Sequence, residues 1–96
     1  MLTISDVIEP ISSNYPCVDW ATKRFKKPLE TCNKFQVLTS FKHEHTFIVV
    51  TYTNDIWTND LIVTEFIANT KANREVLTEV CEKLNQLLAA YKVCLL

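Results

Sequence analysis

TKANREVLTEVCEKLNQLLAAYKVCLL, residues 70 to 96, is the stretch whose reading decides the fold. With Leu77 at heptad position a, Leu84 and Tyr91 also fall at a. Val80, Leu87 and Cys94 fall at d, and Cys81, Leu88 and Leu95 at e. Thr78, Glu79, Glu82, Asn85 and Gln86 occupy the opposite face, so the apolar period is helical. Thr70, or Asn69 before it, is a suitable N-cap, because a short side-chain oxygen can accept from the first free backbone N–H groups. Glu75 and Glu79 suit the positive end of the helix dipole, and Lys92 the negative end. A coiled-coil seam needs only a and d. The third apolar column at e widens the stripe enough to face a sheet, so the helix is expected to be a lid on one.

Upstream of the helix, residues 35–69 predict a three-stranded antiparallel meander. Phe35, Val37, Thr39 and Phe41 alternate with Gln36, Leu38 and Ser40 at period two. Residues 46–53, TFIVVTYT, are β-branched and aromatic, as in a central strand. Residues 54–60, NDIWTND, suggest a loop framed by Asn/Asp pairs, and 61–69, LIVTEFIAN, a third strand. Residues 2–13 form a candidate short helix in which Asp6 and Glu9 have capping-box spacing and Pro10 limits the length. Asp19 could cap a further short helix from Trp20 to Lys26, stopped by Pro28. The expected whole is one α+β domain over 1–96, a two-layer sandwich of meander and long C-terminal helix. Such a sheet has two edges that need cover or a partner.

Composition narrows the function classes. The 96 residues contain no glycine, where average usage of about 7% implies several. Phosphate-cradling loops and dinucleotide fingerprints rely on glycine, so nucleotide sites of those types are excluded. Turns must then use Asn, Asp, Pro or Ser, and type I′ hairpins must put Asn or Asp at positive φ. The N-terminus lacks the basic and long apolar regions of a secretory signal, and no apolar run reaches the roughly 20 residues of a membrane span. The expectation is a cytoplasmic protein with no membrane partner and no cofactor.

Cys17, Cys32, Cys81 and Cys94 form no C-x-x-C pair and meet no zinc spacing rule. Cys81 and Cys94 are expected as small hydrophobes, and reduced thiols are favoured over a Cys17–Cys32 disulfide. His43 and His45 would point the same way on an extended strand, but two ligands do not make a metal site, and none is expected. Cys32 with either histidine is the one imaginable nucleophilic pair. Nothing around it supplies an oxyanion motif, and no catalytic residues are assigned.

Three surfaces are candidates for recognition. Ile56 and Trp57 sit inside the Asn/Asp-framed loop, and tryptophan is enriched among interface hot spots. Lys23, Arg24, Lys26 and Lys27 form a basic patch; residues 21–43 hold six basic side chains and one acidic, the remainder four and ten. Interleaved with Trp20 and Phe25, that patch has the ingredients of nucleic-acid binding, although the overall pI of about 6.1 argues against a dedicated binder. At the helix end the polar face disappears, making Tyr91, Val93, Leu95 and Leu96 candidates for a homodimer contact. The sequence thus favours a non-enzymatic protein–protein interaction module of adaptor, chaperone or inhibitor type, with a viral or phage modulator as one source. The alternative is a nucleic-acid-binding regulator.

Overall fold

The computed structural model describes residues 2–21 and 26–95. In chain order it contains α1 (Ile4–Ser12), a 3-10 turn (Leu29–Thr31), β1 (Cys32–Ser40), β2 (His45–Asn54), β3 (Trp57–Ile62), β4 (Ile67–Ala68) and α2 (Lys71–Leu95). The strands form one antiparallel sheet in the order β1-β2-β3, with β4 also paired to β2. Both helices lie on one face of it, and the fold is α+β.

The helix-stripe residues Leu77, Val80, Cys81, Leu84 and Leu88 are all buried. They meet Phe35, Ile48 and Val50 of the sheet and Ile4, Val7, Ile8 and Ile11 of α1 in one core. Thr70 caps α2 by accepting from the Asn73 N–H at 3.1 Å. Cys94, expected on the apolar face, is exposed because the stripe runs past the end of the sheet. The helix packs chiefly on β1, less on β2, and reaches the sheet border. There Asn85 Oδ1 accepts from the Phe35 N–H at 2.7 Å while its Nδ2 donates to the Phe35 carbonyl at 2.8 Å. Lys92 Nζ donates to the Cys32 carbonyl. Two polar side chains of the lid therefore stand in for a missing neighbour strand.

Capping of α1 differs from the spacing expected. Thr3 is the N-cap, and its N–H donates to Asp6 Oδ2 at 2.7 Å, so Asp6 closes the cap and does not open it. Pro10 lies in the last turn of α1, where its missing N–H ends the helix soon after. The helix expected from Trp20 does not begin there: Trp20 forms a β-bridge with Thr64, and the Ala21 N–H donates to the Val63 carbonyl at 3.0 Å. The rest of that segment, residues 22–25, lies outside the described residues.

The expected 54–60 loop shrinks to Asp55 and Ile56, and Trp57 to Asp60 continue as strand. Polar residues imitate a loop here because β3 is an exposed edge strand. The expected third strand is interrupted. Ile62 pairs with Val49 and Ile67 with Thr46, so Val63 to Phe66 stand opposite only Phe47 and Ile48. Thr64 repairs the ladder, its buried Oγ1 accepting from the Ile48 N–H at 2.8 Å. The bulged backbone turns outward to residues 19–21, where the Glu65 N–H donates to the Asp19 carbonyl at 2.8 Å. Phe41, expected on the first strand, falls in the turn before β2 and is exposed.

Candidate interaction surfaces

The β2–β3 hairpin is closed by two residues, with Asn54 paired to Trp57. Asp55 takes φ 55°, the positive φ that this tight turn needs and that glycine usually supplies. The turn leaves Ile56 86% and Trp57 70% exposed at the far end of the sheet. Trp57 thus stands outside the core. Asp55 accompanies the pair and is exposed, whereas Asp60 lies on the opposite face of β3.

Of the basic segment, Lys26 and Lys27 are among the described residues, and they differ. Lys26 is exposed, whereas Lys27 is half-buried with its ammonium 4.2 Å from the Tyr52 ring centroid. The Lys27 carbonyl accepts from the Ile4 N–H at 3.1 Å, which ties this stretch to the start of α1. Trp20 packs against the core, and its buried Nε1 finds no acceptor among the described residues. Its ring is thus half-buried against the core. Lys23, Arg24 and Phe25 lie outside the described residues.

At the end of α2, Tyr91 packs against the core and Val93 is exposed. The Leu95 side chain and Leu96 lie outside the described residues.

His43 falls in the turn preceding β2 and is exposed, so it does not share an extended strand with His45. His45 opens β2 and stacks on Phe66 at 5.7 Å between ring centroids. Among the described residues no three His, Cys, Asp or Glu side chains gather as a metal site would require. Cys32 is buried, and burial pushes its thiol up, against the smaller lowering effects of Thr31, Lys92 and Lys27. That environment opposes thiolate formation. All four cysteines are free thiols, with Cys17 and Cys94 exposed.

The surface that the sequence reading missed is the sheet face away from the helices. In register across it stand Lys34, Thr51 and Asp60, then Gln36, Val49 and Ile62, then Leu38 and Phe47. Phe66 closes over the last of these, 4.6 Å from the Phe47 ring centroid. Val49 is only 1% exposed yet lies outside the helix-side core. The signal was present in TFIVV: an antiparallel strand with one wet face alternates, and this run is apolar on both.

A shallow cleft of about 70 Å³ lies between residues 17–19, the 64–67 bulge and the first turns of α2, with Cys17, Asp19, Glu65 and Asn73 on its walls. No family model, curated protein or solved structure matches this chain. No helix among the described residues is long and apolar enough to cross a membrane.

Proposed function

We propose that this chain is a non-enzymatic interaction module that uses the β2–β3 hairpin tip to engage another protein. The observation that carries the proposal is the side-by-side exposure of Ile56 and Trp57, at 86% and 70%. They cap a hairpin whose strands are held by ladder pairing, so they are presented rigidly and little ordering entropy is lost on binding. A buried tryptophan anchor is worth about 2 kcal/mol or more at an interface. Asp55 beside them favours an apolar receiving site with a basic rim. The raised Cys32 thiol fits the non-catalytic reading, since a nucleophile needs the opposite shift.

Trp57→Ala separates recognition from folding. Its urea midpoint should stay within the equivalent of about 0.5 kcal/mol of the parent, as for a surface change. A photo-crosslinking side chain at position 57 should capture a protein from the source cell that the same group at the exposed Gln86 position on α2 does not. Equal capture at both positions, or capture of nucleic acid in place of protein, overturns the proposal.

A further inference from the structure

We infer that the open sheet face is a self-complementary docking surface for a second copy of this chain, with the two sheets stacked about a two-fold axis parallel to β2. This goes beyond the hairpin-tip reading and does not depend on it, because Trp57 and its pairing partner Asn54 fall in the same alternation as Tyr52 and Val50, on the helix side.

Leu38, Phe47, Val49, Ile62 and Phe66 form an apolar strip on the face away from both helices, and no helix among the described residues packs on it. Ile62 and Phe66 remain 41% and 51% exposed, so the strip continues to the surface.

The charges at one end of the strip choose the occupant. Lys34 on β1 and Asp60 on β3 flank Thr51 of β2 in a single row. Asp60 is held in place, its Oδ1 accepting from Thr51 Oγ1 at 3.0 Å. Both are exposed, and neither has an ion-pair partner among the described residues. An axis parallel to β2 sets β2 over β2, β1 over the other copy's β3, and each row over its own counterpart. Lys34 of each copy then faces Asp60 of the other, two opposite-charge contacts from one symmetry operation. Meanwhile Phe47 of each copy faces its counterpart, Phe66 faces the other copy's Leu38, and Ile62 lies over the other copy's Gln36, with Val49 already buried beneath them. Stacked sheets pack about 10 Å apart with strands nearly aligned, a gap that apolar side chains fill from both sides.

Three strands about 4.8 Å apart and about 30 Å long give a footprint on the order of 450 Å² per copy. That belongs to the weak, transient interface class, so a micromolar dissociation constant is expected.

Sedimentation velocity from about 1 µM to about 500 µM tests the arrangement. The parent should shift from monomer to dimer across that range. Lys34→Glu and Asp60→Lys should each weaken dimerisation roughly tenfold, since either reversal spoils both contacts. The combined Lys34→Glu/Asp60→Lys chain should recover dimerisation to near the parent, because the symmetric pairs are restored with opposite sense. Ile62→Lys should leave a folded monomer, with folding checked by circular dichroism. A parent that stays monomeric throughout overturns the inference. So does a dimer insensitive to the single reversals, a double reversal that fails to recover, or a dimer lost with Val93→Lys and kept with Ile62→Lys. A chain that proves monomeric and yet crosslinks a partner at position 57 defeats this inference alone.

Discussion

Asn85 is the residue at which helix and sheet are locked to one another. Its carboxamide satisfies both main-chain groups of Phe35 on the outer edge of β1. In the helical pattern it sits among polar residues, and nothing local distinguishes it from Gln86, which is exposed. Only the arrival of β1 beside it, fifty residues away in sequence, gives it a role. Asn85→Asp keeps the shape but replaces the Nδ2 donor with an oxygen facing the Phe35 carbonyl. The expected loss is about 1–3 kcal/mol, seen as a lower urea midpoint with unchanged slope. Thr64 is a second case of the same kind. As a β-branched residue it reads as ordinary strand, yet it accepts the Ile48 N–H in place of a backbone carbonyl.

At the scale of elements, the β2–β3 hairpin shows how a chain without glycine makes a tight turn. Asp55 adopts a φ of 55° that most residues pay about 1 kcal/mol to reach, while Asp tolerates it through local side-chain hydrogen bonding. Asp55→Gly should therefore hold or raise stability by up to about 1 kcal/mol, and Asp55→Val should cost about 1–2 kcal/mol. Thermal melts of the three chains order them directly. The need for Asn or Asp at such a site was legible from composition. Glu44, however, takes the other positive φ among the described residues, at 53°, in the four-residue turn before β2. The extent of β3 was hidden because Thr58, Asn59 and Asp60 are solvent-facing edge residues with loop-like chemistry. The length of α2 was plain, since seven turns of consistent periodicity leave little room for another reading.

Across the whole molecule, stability rests on one core that includes two buried thiols, Cys32 and Cys81. Burial pushes Cys81 up from its ordinary 9.0 to about 11; the Glu82 charge adds to this, and a hydrogen bond with Asn85 opposes it. A thiol with a raised folded pKa keeps its proton longer in the fold than in the unfolded chain. Its stabilising effect is thus fully present below about 9 and is lost as pH rises through about 11. Urea titrations of the parent between pH 8 and pH 11 should show that decline, and Cys81→Ala should flatten part of it. Identical slopes in the two chains would assign the decline to other groups.

The sequence by itself determined the fold class, the lid helix and its buried stripe, and the meander it covers. Each of these rests on a periodic pattern that any burial of the apolar side must respect. Tertiary structure alone decided where that pattern stops being enough. It interrupted the third strand at Val63 to Phe66, where residues 19–21 compete for the backbone. It packed Trp20 against the core and laid Lys27 over Tyr52. It put both helices on one side of the sheet and left Phe47 and Phe66 on the other. The physical reason is that a local pattern records which side chains avoid water, whereas the choice of what covers them is made by contacts distant in sequence.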